Sequence, residues 1–249
     1  MIFDGKNEAG RIRRELESSG KLNGKSLVIF QTDGSKQEST YIRLKREMGE
    51  SLGVKVKVEY LFTSEELTRR LGQPIEEDGV LVQLPIIGAD KGETGRILGL
   101  IPELKDIDGL NQFSKFLPSA VKAVDRVLIY AWVTASLRFI NAAVVGAEGM
   151  IGSRLSDWLT ERALAVERFD LGSDLSKLVN FDVVVSATGQ PSLIKAEMVK
   201  EGAIVIDLGY PQGDVAFDEV RSKAGLITPV PGGVGPLTVV SLFENLAQA

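Results

Sequence analysis

Side chains that could move protons lie in three short motifs in the first half of this 249-residue chain. Tyr41 and Lys45 are four residues apart, which places both on one face of a helix. A lysine beside aromatic and apolar groups can lose its proton more readily, because burial disfavours the charged ammonium. The spacing alone favours the simpler alternative, in which the lysine stem covers the apolar stripe and the ammonium reaches water.

The other two motifs are centred on Gln83 and Asp108. Gln83 lies near the end of the run at residues 79–84, and a buried amide there needs a hydrogen-bond partner, either loop backbone or a bound molecule. Asp108 precedes Gly109 in the segment 105–110. An Asp-Gly pair commonly marks only a turn, but such a carboxylate can also accept two parallel N–H bonds from an amino-pyrimidine edge.

The composition limits which chemistry these residues can serve. The chain has no histidine and no cysteine, so acid–base work falls to Lys, Asp, Glu or Tyr, and thiol nucleophiles, disulfides and thiolate metal sites are excluded. We expect no metal centre. With a net charge of −5, dispersed basic residues, no long apolar run and no signal-like N-terminus, we expect a cytoplasmic protein without a nucleic-acid or membrane partner.

The order of the elements predicts an α/β fold with parallel strands. In the first half, helices are expected at residues 7–18, from Ser39 or Thr40 to Leu52, and at 65–71. Strands are expected at 27–30, 54–61 and 79–84, with a turn at 33–35. Residues 118–140 are expected to form a connecting helix, with Val121, Val124, Leu128 and Trp132 at helical spacing.

A glycine-rich segment in the second half predicts a dinucleotide-binding unit of the Rossmann type. Gly146, Gly149 and Gly152 follow an apolar strand and lead into a helix, where backbone could approach a pyrophosphate. A second strand ends at Asp170, the place of an acid that binds ribose hydroxyls. Further strands are expected at 182–186 and 203–208. The expected cofactor contacts are Gly146, Ala147, Glu148, Gly149, Ile151, Gly152, Asp170, Ala187, Thr188, Gly189 and Gly209.

Proline and glycine alternate in residues 228–238, between a short apolar strand and a helical segment that contains Val239, Leu242 and Phe243. Proline fixes φ and glycine permits close approach of a ligand, so this run is a loop of one imposed shape. It is either a rigid structural turn or part of a site.

The motifs together resemble the methylenetetrahydrofolate dehydrogenase/methenyltetrahydrofolate cyclohydrolase family over nearly the whole chain. The matching segments are residues 41–45, 79–85, 105–110, 185–190, 202–209, 213–216 and 229–238. The resemblance implies a folate-binding domain (residues 1–117 plus 237–249) and a Rossmann domain (118–236) with a deep cleft between them. It also implies a homodimer.

The resemblance further implies a reaction and roles for particular residues. Methylenetetrahydrofolate is oxidised with a nicotinamide cofactor, and the methenyl product is hydrolysed to 10-formyltetrahydrofolate. Lys45 matches the catalytic lysine, Gln83 the amide that orients it, and Asp108 the carboxylate that binds the pterin. Tyr41 would stack on the folate ring, and the loop containing Gly233, Pro236 and Thr238 would close over the folate.

Departures from the family pattern bear on the cofactor and on the connecting segment. Ala147-Glu148 stands where NADP-using members tend to have Arg-Ser, and with Asp170 two carboxylates face the position of a 2′-phosphate. We therefore expect NAD rather than NADP, although Arg168 could pair with a phosphate if it points inward. Residues 118–121 read Pro-Ser-Ala-Val instead of Pro-Cys-Thr-Pro, which leaves the start of the connecting helix open.

Two alternatives to the bifunctional enzyme fit the same residues. One is a monofunctional dehydrogenase acting on folate or on tetrahydromethanopterin. The other is a folate- or dinucleotide-binding protein without turnover.

Overall fold

The computed structural model describes residues 1–32, 38–162 and 164–249, so the turn expected at 33–35 lies outside the described residues. Two compact units divide the chain. We call residues 11–119 and 239–249 the Lys45 unit, and residues 1–10 and 120–238 the glycine-loop unit. In the part of the chain that is described, no helix is long and apolar enough to cross a membrane.

The Lys45 unit is built on a three-stranded parallel sheet. Its strands are β1 (Ser26–Gln31), β2 (Lys55–Tyr60) and β3 (Gly79–Val82), in the order β2-β1-β3. The apolar runs of β1 and β3 are buried, as expected for strands that are covered on both faces. A parallel bridge from Val80 to Asp106 places the aspartate segment beside β3.

Helices around this sheet follow the sequence prediction with one exception. They are α1 (Gly5–Ser19), α2 (Thr40–Ser51), α3 (Ser64–Leu71) and α4 (Lys91–Leu98). Ser39 caps α2 by accepting a hydrogen bond from the Ile42 amide, and Gly53 with φ of 79° follows its end. No helix was predicted at α4, because Gly92 and Gly95 weaken its helix propensity. Asp90 caps it through the Glu93 amide.

The glycine-loop unit contains a five-stranded parallel sheet, which confirms the expected fold class. Its strands are β4 (Asn141–Val145), β5 (Ala165–Phe169), β6 (Val183–Ser186), β7 (Ile204–Asp207) and β8 (Leu226–Ile227), in the order β5-β4-β6-β7-β8. The chain leaves β4 to one side for β5 and to the other side for β6. Ligands of open α/β sheets bind at such a reversal, outside the carboxyl ends of the strands.

Helices associated with this unit differ from the prediction in two places. They are α5 (Ser119–Val133), α6 (Met150–Glu161), α7 (Phe217–Val220) and α8 (Val234–Leu246), with short 3-10 helices at Leu175–Asn180 and Ala196–Met198. The connecting helix α5 ends at Val133 rather than near residue 140, because Ser136 adopts φ of 54° and turns the chain. Of the four apolar residues at helical spacing, Val121, Val124 and Leu128 are buried and Trp132 is 48% exposed.

The second difference lies at the proline–glycine loop. Helix α8 begins at Val234, five residues before the predicted helical segment. Pro236 is compatible with this start, since the first turn of a helix has backbone N–H groups without intrahelical partners and tolerates proline. The loop proper therefore ends at Gly233.

Candidate functional site

Lys45 is buried in the Lys45 unit, so the solvent-directed alternative is wrong. Only 3% of the residue is exposed, and its ammonium lies 4.9 Å from the centre of the Tyr41 ring. Burial lowers the pKa of Lys45 below the ordinary lysine value, while the nearby charge of Asp108 opposes this shift. A lysine in this setting loses its proton more easily than a surface lysine.

Gln83 connects β3 to Lys45. Its backbone N–H donates to the Phe30 carbonyl at 2.8 Å, which continues the pairing of β1 with β3. Its side-chain Oε1 accepts a hydrogen bond from Lys45 Nζ at 3.1 Å. Its Nε2 donates to the Leu84 carbonyl at 2.8 Å, so loop backbone fixes which end of the amide faces the lysine.

Asp108 follows the segment that pairs with β3 and is partly exposed. The Ser119 hydroxyl donates to Asp108 Oδ1, and the Ser119 N–H donates to the Asp108 carbonyl at 3.2 Å. Residues 118–121, whose geometry was open from the sequence, thus begin α5 directly beside the carboxylate. Neighbouring Asp106 is 1% exposed, and burial raises its pKa to about 6.

Two of the glycines expected at the cofactor site, Gly146 and Gly152, are required by close backbone packing. A Cβ on Gly146 would lie 2.6 Å from the Ala187 carbonyl oxygen, and one on Gly152 only 2.1 Å from the Gly146 carbonyl oxygen. The loops after β4 and β6 therefore meet where the sheet reverses its strand order. Glycine at these positions lets the two loops pack together at the carboxyl edge of the sheet, which is where open α/β sheets bind dinucleotides, so the residues fit such a cofactor.

The acidic residues expected at the ribose lie together. The Glu148 N–H donates to Asp170 Oδ2 at 2.7 Å, and the Leu171 N–H donates to Asp170 Oδ1 at 2.8 Å. Arg168, the residue that could favour a phosphate, forms an ion pair with Asp157 on α6 instead.

Two buried carboxylates that the sequence did not mark as functional hold the remaining cofactor loops. Asp207 Oδ1 accepts N–H bonds from Gly209 at 2.8 Å and Asp214 at 3.0 Å. Asp214 Oδ2 accepts from the Ser186 hydroxyl at 2.9 Å and the Thr188 N–H at 2.7 Å. Burial raises the pKa of Asp207. Both lie in segments that carry the family resemblance, 202–209 and 213–216, but the sequence assigned no role to either of them.

The loop before α8 is held by backbone packing inside the glycine-loop unit. A Cβ on Gly5, at the start of α1, would lie 1.8 Å from the Gly233 carbonyl oxygen, and one on Gly233 would lie 2.6 Å from that of Pro229. The Thr238 hydroxyl donates to the Val234 carbonyl at 3.2 Å. The part played by Gly5 has no signal in the local sequence, because the two segments are far apart in the chain.

A doubly wound parallel sheet with glycine loops at its strand ends, joined in one chain to an α/β unit with a buried lysine, defines a two-domain protein with a Rossmann-type NAD(P)-binding unit. The family described as tetrahydrofolate dehydrogenase/cyclohydrolase, NAD(P)-binding domain, matches residues 118–249. The bifunctional protein FolD of Halothermothrix orenii is 34% identical over 281 residues, covering 100% of this chain and 97% of that protein.

Two solved structures agree with this match. The bifunctional enzyme FolD of Campylobacter jejuni, a methylenetetrahydrofolate dehydrogenase/cyclohydrolase, has a TM-score of 0.86 at 30% identity and covers 99% of this chain and 97% of its own. The FolD of Trypanosoma brucei, solved with NADP and an inhibitor, has a TM-score of 0.84 at 30% identity, with coverages of 99% and 95%. The chain belongs to the tetrahydrofolate dehydrogenase/cyclohydrolase family.

Proposed function

We propose that this protein oxidises methylenetetrahydrofolate to methenyltetrahydrofolate with a nicotinamide cofactor and then hydrolyses the product to 10-formyltetrahydrofolate. The observation that carries the proposal is the buried Lys45, which is hydrogen-bonded to Gln83 and interacts electrostatically with Asp108. In a chain without histidine, Lys45 supplies the general base that the hydrolysis needs.

The hydrolytic step uses the lowered pKa of Lys45. Water adds to the cationic methenyl carbon, and neutral Lys45 takes one proton from that water. The carbon–nitrogen bond to the ring nitrogen then breaks, giving the formyl group, as that nitrogen takes up one of the two protons of the water. The other proton is released to solvent. The hydrogen bond between Lys45 Nζ and Gln83 Oε1 orients the amine, and the carboxamide oxygen stabilises its protonated form.

Substrate binding is assigned to side chains near Lys45 and to the loop before α8. Tyr41 lies beside Lys45 and offers a ring for stacking on the pterin. Asp108 offers a carboxylate to the amino-pyrimidine edge. Gly233, Pro236 and Thr238 would cover the bound folate. The catalytic roles of Lys45, Gln83 and Asp108, and the division into domains 1–117 plus 237–249 and 118–236, remain predictions.

The cofactor is assigned to the glycine-loop unit, with NAD preferred over NADP. A bound nicotinamide supplies the oxidant that accepts a hydride from the methylene carbon. Gly146, Gly149, Gly152 and the N-terminus of α6 would hold the pyrophosphate. Glu148 and Asp170 would favour ribose hydroxyls and repel a 2′-phosphate, since Arg168 is paired with Asp157 on α6. The loops with Ala147, Ile151, Ala187, Thr188, Gly189 and Gly209 would complete this site.

A homodimer is proposed, with an exposed apolar face of the glycine-loop unit as its contact. Trp132, Val133 and Ile140 are 48%, 70% and 77% exposed, and they line a cavity of about 440 Å³. β5, whose Ala165 N–H donates to the Ile140 carbonyl at 3.2 Å, is an edge strand. Its outer backbone groups can pair with the same strand of a second copy. We also propose a cytoplasmic location, as the absence of cysteine suits a reducing compartment.

Turnover of methylenetetrahydrofolate with NAD and with NADP separately tests the reaction, with absorbance of reduced cofactor and of methenyltetrahydrofolate followed together. We expect faster reduction of NAD and no lasting accumulation of the methenyl compound. Persistent methenyl product would indicate a monofunctional dehydrogenase. Binding of folate and cofactor without reduction of either nucleotide would contradict the proposal and favour a non-catalytic binding protein.

A further inference from the structure

Ser119 lies at the start of α5 and contacts Asp108 twice. Its hydroxyl donates to Asp108 Oδ1, and its backbone N–H donates to the carbonyl oxygen of the same residue. Ser119 is fully buried, whereas Asp108 is partly exposed. One carboxylate oxygen, Oδ1, is therefore held by a buried hydroxyl, while part of Asp108 remains accessible to solvent or to a ligand.

Three features of the Lys45 unit bring Ser119 and Asp108 together. Gly109 adopts φ of 69°, and a Cβ at this position would lie 2.7 Å from the Pro118 nitrogen, so only glycine lets the two segments approach. Asn245 Nδ2 donates to the Ile107 carbonyl at 2.8 Å and to the Leu117 carbonyl at 3.1 Å. These bonds clamp the residue before Asp108 to the residue before Pro118.

We propose that Ser119 is a positioning residue, whose hydroxyl holds Asp108 Oδ1 so that Oδ2 faces the amino-pyrimidine edge of the folate. This inference rests on the proposed function and adds a residue to its substrate site. A freely rotating carboxylate would have to be ordered when substrate binds, and a hydrogen bond made beforehand removes that cost. The serine therefore affects folate affinity through Asp108, without touching the reacting carbon.

The test compares Ser119→Ala and Ser119→Cys with a matched control, Ser241→Ala. Ser241 is also fully buried in the Lys45 unit, and its hydroxyl has no hydrogen-bond partner among the described residues. The control therefore removes a buried hydroxyl but no hydrogen bond. The backbone bond from residue 119 to the Asp108 carbonyl survives in all variants. KM for methylenetetrahydrofolate, KM for NAD, kcat, the unfolding temperature and the dissociation constant of tetrahydrofolate are measured for each protein.

We expect Ser119→Ala to raise the folate KM and the tetrahydrofolate dissociation constant about tenfold, the loss typical of one hydrogen bond to a charged group. The NAD KM should not change. Ser119→Cys, a weaker donor, should fall between alanine and wild type, and Ser241→Ala should match wild type. Unchanged folate affinity in Ser119→Ala, or losses that merely follow a lower unfolding temperature, would overturn the inference.

Failure of the underlying reaction gives a different result. If wild type binds tetrahydrofolate but does not turn over its methylene derivative, the proposed function fails while the binding series still decides the role of Ser119. If wild type binds no tetrahydrofolate, both are overturned.

Discussion

The two units form their candidate sites from different groups, side chains in one unit and backbone in the other. In the Lys45 unit, the site consists of side chains in contact with one another: Lys45 with Gln83, and Asp108 with Ser119. In the glycine-loop unit, the site consists of backbone, brought together where Gly146 and Gly152 lack a side chain. Carboxylates appear there mainly as acceptors for loop N–H groups, as at Asp207 and Asp214.

This difference suggests that residues of the Lys45 unit carry out a chemical step, whereas the glycine-loop unit provides the shape that binds the cofactor. In the proposed mechanism, the buried lysine with a lowered pKa performs a proton transfer, and its replacement would remove one step. A glycine at a backbone contact performs no step, and its replacement changes the shape on which every dinucleotide interaction depends. We therefore expect mutations in the first unit to divide the two activities and mutations in the second to reduce cofactor use as a whole.

The largest expected effect is that of Lys45→Met on hydrolysis. We expect the cyclohydrolase rate to fall about a thousandfold, because the general base is lost, while tetrahydrofolate binding stays largely intact. Lys115→Met is the control, since Lys115 is an exposed lysine of the same unit. Rates are measured on methenyltetrahydrofolate without cofactor. Normal hydrolysis in Lys45→Met would remove this residue from the mechanism.

Gly152→Ala should damage the glycine-loop unit. Its methyl group would lie 2.1 Å from the Gly146 carbonyl oxygen, so backbone must shift, and we expect a loss of about 2–4 kcal/mol in unfolding free energy together with weaker NAD binding. Gly95→Ala, in helix α4 with no heavy atom within 4 Å of its new methyl group, should instead gain up to about 1 kcal/mol. Calorimetry and NAD titration measure both. Equal behaviour of the two variants would contradict the backbone account.

Conversion of a buried carboxylate to an amide should destabilise the glycine-loop unit at Asp207 more than the Lys45 unit at Asp106. Asp106 Oδ2 accepts the Asn111 N–H at 2.7 Å, and Oδ1 has no partner among the described residues. Asparagine at this position keeps one side-chain oxygen, which can still accept the Asn111 N–H, so we expect little loss of stability. Both oxygens of Asp207 accept backbone N–H bonds, so an amide NH₂ there would face another donor, and we expect Asp207→Asn to lose about 2–3 kcal/mol.

The pH dependence of stability distinguishes Asp106 further. Its pKa is raised from 3.8 to about 6, so between these values the folded protein binds more protons than the unfolded chain. The contribution of Asp106 to the free energy of unfolding should therefore fall by about 2 kcal/mol as pH rises from 4 to 6. Asp106→Asn should abolish that fall. Denaturant titrations at pH 4, 5, 6 and 7 measure it, and parallel curves for wild type and variant would count against the raised pKa.

The smallest predicted effect concerns cofactor choice. Replacing Glu148 and Asp170 together by serine removes two negative charges near the expected 2′-position, and we expect the NADP/NAD ratio of kcat/KM to rise about tenfold. Glu161→Ser, in helix α6 after the glycine loop, controls for a general change in charge. An unchanged ratio in the double variant would argue against the preference for NAD.

Sequence patterns predicted the parallel α/β fold and most elements, because buried strands are continuous apolar runs and α2 has a serine cap. They did not predict the end of α5 at Val133 or the early start of α8, since local propensity does not report a left-handed Ser136 or a proline in the first helical turn. Spacing placed Tyr41 beside Lys45 but favoured an exposed lysine. Its burial depends on Gln83, thirty-eight residues away, and such contacts are set by tertiary packing.

The most direct test of the central role of Lys45 is the pH dependence of kcat for cofactor-free hydrolysis of methenyltetrahydrofolate. The rate in buffer alone is subtracted at each pH. Because burial lowers the pKa of Lys45 below 10.5, the account predicts that kcat rises as this residue loses its proton, with a midpoint below pH 10.5. Lys45→Met should show no such rise. A kcat independent of pH in wild type, or the same profile in Lys45→Met, would contradict a lysine base.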